Sequence, residues 1–240
     1  MMIMYVYKRD EGGFLEEMKS YISKDYKNVI KRLICTVSIA MCSLLYAGLN
    51  ANRGVVHDVS TRVDAAIPFN KFFIIPYIIW YGYVGFYLFY FAVYDGEKFF
   101  NLLWGIVSGM LFCCVIFYFY PTGVKRPELQ GNDIFTKLVR LIYSNDNPYN
   151  CCPSIHVLDS VLIAAYVNRD SHPALKTKII STIISILIIL STMFVKQHYF
   201  IDAVAGAALA YFIYAAFNYD EIIAKVTEKR VPYLEAEEKR

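Results

Sequence analysis

The sequence predicts an all-α membrane protein, a polytopic bundle of six transmembrane helices. Three observations carry that prediction. The 240-residue chain is 57% hydrophobic and only 19% charged. Its charges are excluded from several apolar runs long enough to cross a bilayer, and short polar connections rich in turn formers separate those runs. The formal net charge of +3 is too small and too dispersed to form an electrostatic footprint for nucleic acid, so no nucleic-acid partner is expected.

Residues 1–32 form a polar lead in which Lys8, Arg9, Lys19, Lys24, Lys27, Lys31 and Arg32 precede the first apolar run. That pattern fits a cytoplasmic segment followed by an uncleaved anchor rather than a signal peptide. From Tyr21 the lead also admits a short interfacial helix. A membrane domain is expected over residues 33–218, with spans at Leu33–Leu49, Phe72–Tyr94, Phe99–Tyr120, Pro153–Val167, Ile179–Val195 and Tyr199–Phe217. Pro76 interrupts the second of these. Asp95 to Lys98 make a tight polar turn, so the second and third spans form a hairpin. Within the long polar stretch Pro121–Cys152, the piece Asp133–Tyr143 has apolar residues at helical spacing and reads as a short surface helix. In the fourth span stands Asp159, a carboxylate too costly to face lipid, which must therefore face protein or water. Residues 219–240 read as a charged, helix-compatible cytoplasmic tail.

Six spans put both termini on one side, and the Lys/Arg-rich N-terminal segment, Arg169, Lys176, Lys178, Lys225, Lys229 and Arg230 mark that side as cytoplasmic. The expected location is a plasma or inner membrane. The 21 tyrosines cluster near span ends and read as an interfacial belt rather than as catalytic groups. Cys35, Cys42, Cys113 and Cys114 lie in apolar runs and Cys151 and Cys152 are adjacent, so all six read as small hydrophobes without metal-site spacing.

On this topology three polar groups meet at the non-cytoplasmic face: Arg126 after the third span, Ser154 with His156 at the start of the fourth, and His198 with Asp202 at the start of the sixth. Pro153 suits a first helical turn, and free backbone donors around Ser154 would favour an anion. Arg126 presents a planar fork that matches phosphate oxygens. On a helix, His198 and Asp202 would share a face, so that the carboxylate accepts from one ring nitrogen and leaves the other basic. His156 could then protonate a leaving alkoxide. Those are complementary roles for phosphoryl transfer, but histidines near span ends are also common interfacial hydrogen-bonding groups. His57 and His172 lack an acidic partner at helical spacing and read as loop residues.

At these residues the chain resembles the PAP2, or type 2 phosphatidic acid phosphatase, superfamily. Pro153, Ser154, Ile155 and His156 fit its PSxH motif; Ser191, His198 and Asp202 fit its third motif; Arg126 and Pro127 represent the first. The resemblance implies a six-helix membrane fold of acid-phosphatase-like type and a metal-independent, cofactor-free lipid phosphatase. It implies that His198 attacks phosphorus to form a phosphohistidine, that Asp202 orients it, and that His156 protonates the leaving group. Arg126, Ser154 and Ser191 would hold the non-bridging oxygens. Two cations of the family pattern are absent, because Phe119 and Thr192 stand in their places. Lys125 or Lys196 would have to compensate.

These departures, with the Pro121-to-Pro127 and Lys196-to-Tyr199 stretches, resemble a divergent branch containing lipid phosphatases and inositol-phosphoryl or choline-phosphoryl transferases. The expected substrate is a membrane lipid carrying a phosphate monoester or diphosphate, with water or a lipid alcohol as acceptor. A head-group phosphotransferase is the alternative. Asp159 also invites a lipid or small-solute transporter, although no pair of interrupted inverted repeats accompanies it. Oligomeric state is not legible.

Overall fold

A computed structural model describes residues 14–220 and 222–224. The chain is almost wholly helical: α1 Phe14–Cys35, α2 Val37–Leu49, α3 Arg62–Ala66, α4 Ile74–Tyr94, α5 Gly96–Phe119, α6 Ile134–Asn145, α7 Ile155–Arg169, α8 Leu175–Phe194 and α9 Phe200–Phe217. A 3-10 turn, Lys71–Phe73, leads into α4. Two short parallel strands, β1 His57–Asp58 and β2 Thr122–Gly123, tie two connections together.

Among the described residues, five helical stretches are long and apolar enough to cross a membrane: Glu16–Leu49, Lys71–Tyr94, Gly96–Phe119, Leu175–Phe194 and Phe200–Phe217. Their apolar outer surfaces, including Leu44, Phe112, Ile183 and Phe212, are exposed in the isolated chain, as a lipid-facing surface requires. The protein is thus an integral membrane protein of helical-bundle type. The remaining apolar run becomes α7, whose fifteen residues extend only about 22 Å, short of a hydrocarbon core of about 30 Å. It is instead the most enclosed helix, packed against α4, α5, α8 and α9.

The reasons for the element boundaries are local. Asp95 alone forms the turn between α4 and α5, since its carboxylate accepts from the Lys98 N–H and starts α5 at Gly96. Pro76 does not break the second run, because it falls in the first turn of α4, where its missing N–H has no intrahelical acceptor. The surface helix α6 starts where Asp133 caps the Phe135 and Thr136 N–H groups. The polar lead is helical from Phe14, with non-helical dihedrals at Asp25 and an interruption at Thr36. Residues 1–13 and the tail from 225 onward, which the sequence reads as outside the bilayer, lie outside the described residues.

Small residues let α7 sit deep. A Cβ on Gly109 of α5 would stand 2.7 Å from Leu158 Cδ1, so the glycine permits the Leu158 side chain to seat against α5. Leu102, Leu103, Ile106, Leu158, Leu162 and Ile163 fill the centre, all fully buried. Asp159 is 2% exposed and faces protein, with Oδ1 lacking a hydrogen-bond partner among the described residues. Connections collect at two ends. At one, Asp170 accepts from Tyr90 Oη at 3.0 Å and pairs with Lys98 at 2.9 Å and His172 at 3.0 Å. His172 therefore has an acidic partner that helical spacing does not reveal. At the other end lie the connections carrying Arg126, Ser154 and His198, with His156 in the first turn of α7.

Candidate active site

The first turn of α7 and the turn before α9 are locked to each other. Ser154 is the N-cap of α7, its Oγ accepting from the Val157 N–H at 3.4 Å, while its own N–H donates to the Asp202 carbonyl at 3.0 Å. Pro153, joined to Cys152 by a cis peptide bond, therefore precedes the helix rather than occupying its first turn. A Cβ on Gly206 of α9 would come within 2.5 Å of the Ser154 carbonyl oxygen. Only glycine allows that approach, and it fixes the spacing of His156 from His198. The N–H groups of Ile155 and His156, in the first turn of α7, have no intrahelical acceptor.

The turn between α8 and α9 is held by one carbonyl. Thr192 O accepts from the N–H groups of Gln197 (2.9 Å) and His198 (3.0 Å), and Lys196 takes the left-handed conformation at φ 55° that makes this possible. Helix α9 begins at Phe200 with Tyr199 as its N-cap. His198 thus stands before the helix, and the expectation that it shares a helical face with Asp202 fails. Asp202 instead caps its own helix by accepting from the Tyr199 N–H at 2.8 Å. Asp64 accepts from the next donor, the Phe200 N–H, at 2.7 Å.

His198 Nδ1 nevertheless lies 3.6 Å from Asp202 Oδ2, an ion-pair separation. Its close partner is the Cys151 carbonyl oxygen at 2.9 Å. A carbonyl only accepts, so Nδ1 carries the proton and Nε2 has the free lone pair. His198 is a tenth exposed and Asp202 is fully buried. Asp202 Oδ1 has no hydrogen-bond partner among the described residues.

His156 packs edgewise to His198, ring centroids 5.8 Å apart. Two aromatics of α4 fix its plane, Tyr77 at 4.6 Å and Trp80 at 4.2 Å. Its Nε2 has no hydrogen-bond partner among the described residues. The edge-packed pair thus has one unbonded nitrogen on His156 and, by the tautomer assignment, one free lone pair on His198.

The cations are engaged with protein. Arg126 lies over the Tyr143 ring at 4.3 Å, donates from Nη1 to the carbonyls of Asp146 (2.8 Å) and Tyr143 (3.3 Å), and donates from Nη2 to Gln197 Oε1. It closes the C-terminus of α6 and reaches the residue beside His198; its Nε is buried without a partner among the described residues. Burial pushes the Tyr143 phenol up to about 12 against the opposing pull of Arg126. Lys125 is exposed and paired with Asp58 at 2.8 Å, which holds the Asp58 carboxyl well below its usual range. Lys196 turns back to the carbonyls of Ile67 (2.5 Å) and Asp64 (3.2 Å), at the end of α3. Ser191 is buried, its hydroxyl donating to Ile188 O at 2.6 Å. Of the two departures, Phe119 points out of the bundle, 77% exposed, and the Thr192 hydroxyl bonds Ile189 O at 2.8 Å.

The structure therefore brings His156, His198, Asp202 and Ser154 together, with Arg126 joined through Gln197. It leaves the side chains of Lys125, Lys196 and Ser191 occupied elsewhere. Sequence reasoning missed the Cys151 carbonyl, Asp64, Gln197 and the Tyr77–Trp80 pair. Adjacency to His198 and to Pro153 was a signal for Gln197 and Cys151; none existed for Asp64, which acts across the fold. It also gave Cys151 no role, whereas Cys151, His198 and Asp202 each offer one donor atom, all within 4.8 Å of one another.

The family model of the PAP2 superfamily matches residues 48–216 of the chain. No curated protein and no solved structure matches.

Proposed function

The chain belongs to the PAP2 superfamily, and from that premise we propose that it is a lipid phosphatase acting on a phosphate monoester or diphosphate through a phosphohistidine. The observation that carries this reading is the opposed pair of imidazoles, with the His198 Nδ1–H held by the Cys151 carbonyl. The lone pair of His198 Nε2 attacks phosphorus; the bond to the leaving oxygen breaks as His156, entering protonated, gives that oxygen its proton.

Phosphorylated His198 is an imidazolium, and Asp202 at 3.6 Å stabilises it. His156, now neutral, takes a proton from the acceptor, whose oxygen displaces His198 from phosphorus. The unengaged N–H groups at the start of α7 and the charge of Arg126 stabilise the equatorial oxygens. Ser154 acts by ordering that turn. Contact of Arg126 with phosphate would come through its Nε or through the donor now given to Gln197. Lys125, Lys196 and Ser191 would have to leave their present partners to contribute.

We place the site at the non-cytoplasmic face, the termini in the cytoplasm, and α7 as the short sixth crossing in a plasma or inner membrane. Water as acceptor makes the protein a phosphatase and a lipid alcohol makes it a head-group transferase. The deciding experiment is turnover of lipid phosphates by the purified protein, with and without diacylglycerol or ceramide, read by inorganic phosphate release and mass analysis of lipids. His198→Ala should abolish turnover; unchanged turnover refutes the reading.

A further inference from the structure

Cys151 occupies a position that the reaction above uses only through its backbone. Its side chain is 3% exposed, and its Sγ, a His198 ring nitrogen and an Asp202 carboxylate oxygen lie within 4.8 Å of one another. A thiol, an imidazole and a carboxylate make a donor set suited to borderline-soft divalent ions such as zinc, and foreign to magnesium and calcium, which take oxygen ligands. Two independent features point the set at a cation. Asp202 Oδ1 is buried without a hydrogen bond among the described residues. The separation from His198 Nδ1 to Asp202 Oδ2 is 3.6 Å, inside the range of about 3.3–3.8 Å between donors of a tetrahedral zinc site.

We propose that Cys151, His198 and Asp202 form an inhibitory site for a thiophilic divalent cation, which silences the enzyme by seizing its nucleophilic histidine through Nδ1. Closing the set needs the Cys151 thiol to move inward by about 1 Å and His198 to exchange its bond to the Cys151 carbonyl for one to the metal. The proton on Nδ1 then moves through solvent to Nε2, because a neutral imidazole bound at one nitrogen carries its proton on the other. The lone pair that attacks phosphorus is thereby blocked. Cys151 releases its thiol proton to solvent, so thiolate, carboxylate and divalent cation sum to zero, and the uncompensated carboxylate charge of the buried site is neutralised.

The inhibition rests on the assignment of His198 Nε2 as nucleophile; the metal site does not. Full-length protein in detergent is titrated with Co2+ at pH 6, 7 and 8, reading the thiolate-to-cobalt charge-transfer band and the tetrahedral d–d bands, while Zn2+ inhibition is measured on the same samples with Mg2+ as control. We expect the bands in the wild type, apparent affinity at least about tenfold weaker in Cys151→Ala, and turnover suppressed by Zn2+ and restored by chelation. Each variant's rate is referred to its own metal-free rate. Absence of the bands in the wild type, or bands that persist unweakened in Cys151→Ala, overturns the site. Bands lost in Cys151→Ala with turnover indifferent to saturating Zn2+ overturn the inhibition and the Nε2 assignment while leaving the site. The wild-type spectra need no variant to fold.

Discussion

Replacing Asp202 with asparagine separates the two jobs that the structure gives this residue. Its Oδ2 accepts from the Tyr199 N–H at 2.8 Å and lies 3.6 Å from His198 Nδ1. Asparagine keeps an acceptor for the cap, so helix α9 should start where it does now, and only the charge is lost. Two unit charges at that separation interact by about 4–5 kcal/mol at an effective dielectric of about 20. The positive charge develops on His198 only as the N–P bond forms, and water entering with substrate screens part of it, leaving about 3–4 kcal/mol in the transition state. Asp202→Asn should therefore lower kcat by about 10²–10³-fold, with KM nearly unchanged and a melting temperature close to that of the wild type. Asp202→Ala should lose as much activity and also about 1 kcal/mol of stability with the cap. The assay is inorganic phosphate release from a lipid phosphate in mixed micelles, beside a thermal melt of the same preparations. Activity of Asp202→Asn within about threefold of wild type, an effect of about 0.65 kcal/mol, would refute the assignment of the carboxylate to the imidazolium.

Three further outcomes are expected. Gly206→Ala drives a methyl group to 2.5 Å from the Ser154 carbonyl, so it should cost about 1–3 kcal/mol of stability and depress turnover together, measured by thermal melt and phosphate release. Lys196→Met leaves the Ile67 and Asp64 carbonyls without their cation, which should lower stability by about 1–3 kcal/mol; a raised KM with an unchanged melt would instead show that Lys196 turns to phosphate. At the far end of the bundle, burial raises the Asp170 carboxyl, but hydrogen bonds from Lys98 and His172 outweigh it and hold the group below its usual value. A depressed carboxylate stabilises the fold above its unfolded pKa and loses that contribution as pH falls through the folded one. Asp170→Asn should therefore melt earlier than wild type at pH 7, with the gap closing only below about pH 4; a gap that closes nearer neutrality would contradict the Lys98 pairing.

Composition and hydropathy alone made the helical membrane character legible, because exclusion of charge from long runs is a property of the chain that needs no partner. The capping residues Asp95 and Asp133 likewise mark real helix starts, since a cap acts on N–H groups two or three residues away. The motif residues His156, His198 and Asp202 could be named, and their meeting at one end follows from antiparallel passes of the helices. Their geometry could not be read. Four-residue spacing predicts a shared helical face only if both residues lie in the helix, and His198 lies two residues before α9, where the Thr192 carbonyl fixes the turn. So the imidazole takes its proton acceptor from Cys151, forty-seven residues away, and Asp202 stands off at ion-pair distance. The fates of Lys125, Lys196 and Ser191 were hidden for the same reason. A cation beside a motif looks free to bind phosphate until the fold supplies Asp58 or the carbonyls at the end of α3. Sequence by itself determined which segments leave water and which residue types can carry phosphoryl chemistry, because both depend on side-chain identity. Which nitrogen is nucleophilic, which cations are already spoken for, and that a thiol stands beside the nucleophile were decided by tertiary structure, because hydrogen bonds and ion pairs act over a few ångströms of space between residues far apart in the chain.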